Sequence, residues 1–360
     1  MTLTALGVPT VRGRTDRRSA SGHAPADGPL IDAHGRVATD LRVSLTDRCN
    51  LRCSYCMPAD GLDWLPGEQL LRPDELSRLM CVAVTRLGVT SVRFTGGEPL
   101  LSRHLEEMVE AAARLRPRPE ISLTTNGVGL AHRAAALAGA GLDRVNVSLD
   151  TMERARFAAI TRRDRLGDVL DGLTAAKEAG LAPVKVNAVL DPASGREDVV
   201  ALLRFCLDHG YQLRVIEQMP LDAGHQWRRG AALSADDVLD TLRSHFRLRP
   251  DPTPRGSAPA ELWLADTGPD TPAGKVGVIA SVSHAFCASC DRTRLTADGQ
   301  VRSCLFSTEE TDLRGLLRGG AGDDAIESAW RDAMWGKPAG HGINDPGFIQ
   351  PARPMSAIGG

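Results

Sequence analysis

Residues 41–58 read LRVSLTDRCNLRCSYCMP, and this stretch decides the fold. It opens on an apolar run, 41–46, with the composition of a short strand. Three cysteines follow at Cys-x3-Cys-x2-Cys spacing: Cys49, Cys53 and Cys56. Clustered thiols in a long chain read as metal ligands in a reducing compartment, not as a disulfide framework. A four-iron cluster takes one ligand per iron, so three cysteines leave one iron open. An open metal position is where a substrate or cofactor binds. A second triad, Cys287, Cys290 and Cys304, repeats the pattern near the C-terminus. The remaining two, Cys81 and Cys206, sit in helical patterns and read as buried core thiols.

Working outward, a strand-then-helix rhythm begins at residue 40. Further strands are expected at 91–95, 120–125, 144–149, 183–190 and 212–218. The clearest helix starts at Pro73, carries Asp74 and Glu75 in its first turn and stops by Gly88. Others fall near 103–114, 131–139, 167–179, 197–209 and 234–245. This alternation implies an α/β fold, a parallel sheet forming a full or partial barrel. Function then belongs at the C-terminal ends of the strands. Unusual polar residues gather there: the first triad, Gly96-Gly97-Glu98-Pro99, Thr124 to Gly127, Ser148 with Asp150, Asn187, and Glu217 to Met219.

The expected domains are a disordered leader, 1–38, and a barrel, 39–248. A Pro/Ser/Gly linker at 249–260 leads to an α+β segment at 261–346 carrying the second triad, then a tail, 347–360, ending in Gly359-Gly360. The arginines of the leader suggest a transit peptide, but Asp16, Asp27 and Asp32 argue against one. A net charge of −2 does not predict a general nucleic-acid or membrane binder. No apolar run approaches the roughly 18 residues of a membrane span. A cytoplasmic location is expected.

The first triad, with Tyr55 between its last two cysteines and GGEP after strand two, closely resembles the radical S-adenosylmethionine (SAM) superfamily. The resemblance implies a partial (βα)6 TIM-like barrel. It implies a [4Fe-4S] cluster on Cys49, Cys53 and Cys56 whose open iron binds SAM, with Tyr55, Gly97, Ser148 and Met219 around the cofactor. The cluster would reduce SAM to methionine and a 5′-deoxyadenosyl radical.

The second triad narrows the match. From about Leu41 to Gly360, in order, stand VRFTGGEPL, TTNG, VNVSLD, VKVNAV, the Cys287 segment and RPMSAIGG. The chain resembles the GTP 3′,8-cyclase family of molybdenum-cofactor biosynthesis. That implies a second [4Fe-4S] cluster, on Cys287, Cys290 and Cys304, reached by the guanine of GTP. The radical would take hydrogen from ribose C3′, and C3′ would then attack C8. By the same resemblance, Arg42, Arg93, Thr124, Lys185, Arg292, Thr293 and Arg294 contact GTP, with Arg214 a further member. Gly359 and Gly360 would reach toward the active site. A flavodoxin- or ferredoxin-like electron donor is implied. So is hand-over to the next enzyme, cyclic pyranopterin monophosphate synthase. The chain would act as a monomer or homodimer. No single residue is assigned as catalytic.

Lys185 carries a reading of its own. It is one of four lysines and lies mid-strand in an apolar run, where an unpaired charge is costly. It should face the lumen and meet an anion. Two alternatives stay open. One is another radical SAM enzyme with an auxiliary cluster, acting on peptides. The other is a non-catalytic iron–sulfur or zinc module, with His284 as the fourth ligand of the second triad.

Overall fold

A computed structural model describes residues 22–228, 230–266 and 273–359. Among them, twelve strands form one sheet. The middle is parallel and in chain order: β1 (Asp40–Ser44), β2 (Ser91–Thr95), β3 (Glu120–Thr125), β4 (Arg144–Ser148), β5 (Lys185–Val189) and β6 (Gln212–Ile216). Helices cross between successive strands, so all six C-terminal ends share one rim.

The remaining strands are β7 (Arg247–Pro250), β8 (Glu261–Asp266), β9 (Gly274–Ile279), β10 (Arg292–Leu295), β11 (Gln300–Arg302) and β12 (Thr311–Asp312). They build no sheet of their own. β9 pairs parallel with β6, and β10 pairs parallel with β1. The C-terminal third therefore extends both sides of the central six strands.

The strand sequences alternate with period two, and this separates two faces. Leu41, Val43, Phe94, Ile121, Leu123, Val145, Val147, Val186 and Ala188 are fully buried beneath the helices. The alternate positions hold Arg42, Arg93, Ser122, Thr124, Arg144, Asn146, Lys185, Asn187 and Arg214. Register sets Arg42 beside both Arg93 and Arg294, and Asn146 beside Lys185. The face turned into the lumen is thus almost wholly polar.

The helix Pro73–Thr85 starts as expected, on proline with the Glu75 carboxylate returned 2.8 Å to the Arg72 N–H. It buries Leu76, Leu79, Met80 and Ala83. Cys81 falls on its outer face and is exposed, which corrects the expectation of a buried thiol; Cys206 is buried. A helix at Arg154–Thr161 was not anticipated. Its charged residues and lack of a one-sided apolar stripe hide it from a periodicity reading.

Two other expectations need correction. The leader was taken as disordered to residue 38, but residues 22–38 are built into the fold. Leu30 is fully buried, and Ile31 bridges Val37. Residues 1–21 lie outside the described chain. The expected linker 249–260 begins inside β7 and continues as the turn of the β7–β8 hairpin. Ser257 of that turn donates 2.7 Å to Asp291, next to the second triad. Proline and glycine mark a tight connection as readily as a tether.

Candidate active site

The first triad hangs on the loop after β1. Its thiols sense one another and are desolvated: burial, then Cys49, pushes the Cys56 thiol up to about 12. Burial, with Asp150 and both other cysteines, raises Cys53 well above its ordinary value. Such thiols become thiolates only beside a strong positive charge, and a metal centre supplies one. Among the described residues no three His, Cys, Asp or Glu side chains converge on a point that one ion could fill.

Several residues hold that loop. Asn126 Nδ2 lies 3.8 Å from Cys49 Sγ and 2.7 Å from Asn50 Oδ1. Asn126 is itself held by Glu98, which accepts its N–H at 2.7 Å and the Thr125 hydroxyl at 2.6 Å. Burial pushes the Glu98 carboxyl up to about 7 despite these donors. Tyr55 donates 2.8 Å to Asp150, whose other oxygen accepts the Val189 N–H at 2.8 Å. The Tyr55 hydroxyl is therefore committed to tying the loop to the ends of β4 and β5. Gly97 shows a reason for glycine other than room for a ligand. A Cβ there would collide with the carbonyls of Asp47 and Arg48. Ser148 closes β4, and Met219 follows β6, both on the rim that carries the triad. Glu217 staples the end of β6 by accepting the N–H groups of Ala235, Val282 and Ser283 at 2.7–2.9 Å.

The second triad forms at the foot of β10. Burial raises Cys287, and the charges of Cys304 and Cys290 raise it further. At Cys290 burial pushes up as well, but Arg292 and Lys337 outweigh it and the thiol falls below its ordinary value. His284, the alternative zinc ligand, is exposed and turns instead to Asp236 at 3.3 Å.

Between the triads lies a cluster of cations, of which Arg93, Lys185, Arg292 and Arg294 are buried and the rest half-buried. Arg42, Arg93, Arg144, Lys185, Arg214, Arg292 and Arg294 share the lumen. The carboxylates that answer them are Asp40, Glu120 and Asp291. Arg42 Nε, Arg144 Nη1, Arg214 Nε and Arg292 Nε are buried with no hydrogen-bond partner among the described residues. Burial, then Arg42, pushes Arg93 down to about 9; burial, then Arg42 and Arg292, does the same to Arg294. An arginine does not give up its proton near neutrality, so these shifts express the pull of the site for an anion. Burial raises the Asp40 carboxyl, but Arg42, Arg93, Arg292 and Arg294 outweigh it and hold it below its usual range.

The triphosphate contacts expected from the sequence are thus brought together, with one exception. Thr293 faces the other way: its hydroxyl accepts from Trp330 Nε1 at 2.9 Å within the outer packing. Strand alternation turns it away from the lumen that its neighbours Arg292 and Arg294 enter. Thr124 remains at the rim, where Asn146 Nδ2 donates to it at 3.1 Å. Arg144 was missed; its alternation with Asn146 and Ser148 was the available signal.

Burial, then Arg214, Arg144 and Arg93, pushes Lys185 down to about 7 from an ordinary 10.5. The unfolded chain keeps that proton to higher pH than the folded one. Stability of the ligand-free protein should therefore rise from about pH 7 to about 10.5 and be lost again as pH falls through 7. Denaturant titrations across that range should show the rise. In Lys185→Met the slope should drop by one proton's worth; an unchanged slope would refute the assignment.

The tail reaches the lumen by Gly359. Met355 N–H donates to Leu221 O at 3.3 Å, and the Ser356 N–H reaches the Cys56 thiol. Ile358 is buried, and Arg294 donates to the Gly359 carbonyl. Gly359 has φ of 83°, and a Cβ there would collide with Ser44 Oγ and Thr95 Oγ1. Arg353 anchors the approach through a two-pronged pair with Asp298 at 2.7 and 3.0 Å. Gly360 lies outside the described residues.

Six parallel strands in order, with three thiols on the loop after the first, fit the radical SAM class of enzyme. Residues 43–206 match the family model described as Radical SAM superfamily, and residues 211–343 match Molybdenum Cofactor Synthesis C. The second span starts just before β6, so it includes the last of the six central strands and begins well before the expected linker. The GTP 3′,8-cyclase of Mycobacterium marinum is 81% identical over 100% of both chains. GTP 3′,8-cyclase 2 of Mycobacterium tuberculosis is 79% identical, and the Mycolicibacterium smegmatis relative 72%, each over 100% of both chains. The chain belongs to the GTP 3′,8-cyclase family. Among solved structures, Streptococcus suis SuiB matches with a TM-score of 0.57 at 14% identity, over 84% of this chain and 68% of that one. Its SAM-bound form matches at 0.55, also at 14% identity, over 90% and 76%. At that identity the likeness carries the fold alone. No helix among the described residues is long and apolar enough to cross a membrane.

Proposed function

We propose that this chain converts GTP, with SAM and an electron donor, to (8S)-3′,8-cyclo-7,8-dihydroguanosine 5′-triphosphate, an early step of molybdenum-cofactor biosynthesis. One observation supports this above the others: seven lumen cations, four of them buried, face three carboxylates, and four guanidinium nitrogens have no hydrogen-bond partner among the described residues. That surplus suits a nucleoside triphosphate. Arg42, Arg93, Arg144, Lys185, Arg214, Arg292 and Arg294 would hold the phosphates, and Thr124 would meet the nucleoside. Arg294 senses Cys290 and Cys304, so the base would lie toward the second triad.

Cys49, Cys53 and Cys56 would hold the SAM-binding [4Fe-4S] cluster, with Gly97, Ser148 and Met219 around SAM. Cys287, Cys290 and Cys304 would hold the second. When bound, these groups supply the radical chemistry. The protein's own part is orientation: C3′ and C8 belong to one nucleotide, which must be held folded and dry. The tail helps close the lumen over it. A flavodoxin- or ferredoxin-like donor would supply the electron, and the product would pass to cyclic pyranopterin monophosphate synthase.

The test is anaerobic incubation with SAM, a reductant and GTP, followed by mass analysis. 5′-Deoxyadenosine together with an isomer of GTP mass is expected. 5′-Deoxyadenosine alone, at any GTP concentration, would overturn the choice of substrate.

A further inference from the structure

The second triad is held from behind by two buried cations that neither motif contains. Lys337 is 3% exposed and has three N–H donors. It gives one to Cys290 O at 3.1 Å, one to Arg292 O at 2.8 Å, and it hydrogen-bonds the Cys290 side chain. Its acceptors are two carbonyls and a sulfur, with no carboxylate among them. A buried ammonium in that position needs a negative charge, and the triad is the group placed to provide it.

Arg36 comes from the segment before β1. Its Nε pairs with Asp32 at 2.5 Å, and Asp32 is 1% exposed. The other four donors spread over backbone carbonyls: Cys287 at 2.8 Å, Ala339 at 3.0 Å, Pro338 at 2.7 Å and Lys337 at 3.5 Å. One guanidinium therefore joins the Cys287 loop to the segment that carries Lys337. Thr39 N–H adds a bond to Asp291 O at 2.9 Å.

We propose that Arg36 and Lys337 form a clamp for the second cluster with divided roles: Arg36 fixes the Cys287 loop in place, and Lys337 sets the charge felt at the Cys290 sulfur. Both are positioning residues. Lys337 brings an unneutralised charge and a hydrogen bond to a ligand sulfur, and both stabilise the reduced, more negative cluster. The Arg36 charge is paired with Asp32, its other donors go to carbonyls, and its field is the smallest of the influences on Cys287, so it acts chiefly on geometry. The inference rests on the second triad holding a cluster, as proposed above.

The experiment uses the full chain with Cys49, Cys53 and Cys56 all replaced by alanine, so that only the second cluster gives a signal. After anaerobic reconstitution, about four irons per chain are expected. A parent that binds no iron would defeat the cluster reading itself, and that arm is separate from the others. In this background Lys337→Met keeps the length and removes the charge. It should move the midpoint potential, followed by electron paramagnetic resonance, to a more negative value. Lys337→Arg should restore it. Arg36→Gln should leave the potential in place but weaken iron retention against a chelator by about 10–100-fold. An unchanged potential in Lys337→Met, or unchanged retention in Arg36→Gln, would overturn the proposal. So would an equal shift of potential in both. Melting curves on each variant identify global unfolding, and in that event Arg36→Lys, which keeps one charged donor group, carries the retention test.

Discussion

Cys53→Ala should abolish SAM cleavage, while Cys304→Ala should retain it and lose the cyclised nucleotide. The two triads are far apart in sequence and on different elements, so each cluster should assemble without the other. A [4Fe-4S] cluster on either triad would already have one iron without a cysteine, and neither remaining thiol is placed to replace a lost ligand. Cys206 is sealed in the core, and Cys81 sits on the outer face of a helix. Burial raises the Cys53 thiol, and the charges of Asp150 and both other cysteines raise it further. A cluster there is what makes its thiolate tenable. Chromatography of 5′-deoxyadenosine, with and without GTP, reads both outcomes. Cleavage retained by Cys53→Ala would remove the radical mechanism. Full product from Cys304→Ala would remove the second cluster from the reaction.

Arg93→Met should weaken GTP binding without destabilising the protein. A charge-assisted bond to phosphate is worth about 1.5–3 kcal/mol, so Kd and KM should rise roughly 10- to 150-fold. In the ligand-free state the same guanidinium is crowded by Arg42, Arg144 and Arg214, and its nearest carboxylate oxygen is 3.9 Å away. Its one side-chain hydrogen bond is to Ser122 at 3.2 Å. Removing it relieves repulsion at little cost in contacts, so the melting temperature should hold or rise. A large fall in melting temperature with unchanged KM would mean that Arg93 serves the fold. The combination expected is diagnostic of a charge retained for a ligand.

Much of this was legible in the sequence because strand ends and cysteine spacing are local features. Leu41 to Cys56 carry the strand, the loop and the ligands in one stretch. Lys185 declared itself by being a charge amid Val and Ala. The omissions share a cause. Arg36 meets Cys287 across 251 positions, and Lys337 meets Cys290 across 47. No period or motif connects such pairs; only the folded chain brings them together. Leu30 looked like part of a polar leader because a single buried anchor leaves no periodicity. Thr293 was misplaced for the opposite reason, since its two neighbours drew it into their set although alternation alone turns it outward.

The strand order has a consequence for the growing chain. The six central strands are complete by Ile216, yet the flank of β1 waits for β10 and that of β6 waits for β9. Until residue 279 has emerged, the nascent sheet carries two naked edges of unpaired N–H and C=O groups, and until residue 295 the edge of β1 stays open. A protein cut at the border between its two matched family regions, after residue 206, would lose β6 as well and leave β1 and β5 as open edges. It would be prone to pair with its own copies, so the catalytic barrel is not a separable module. The last third of the chain carries the second triad and also caps the barrel against self-association.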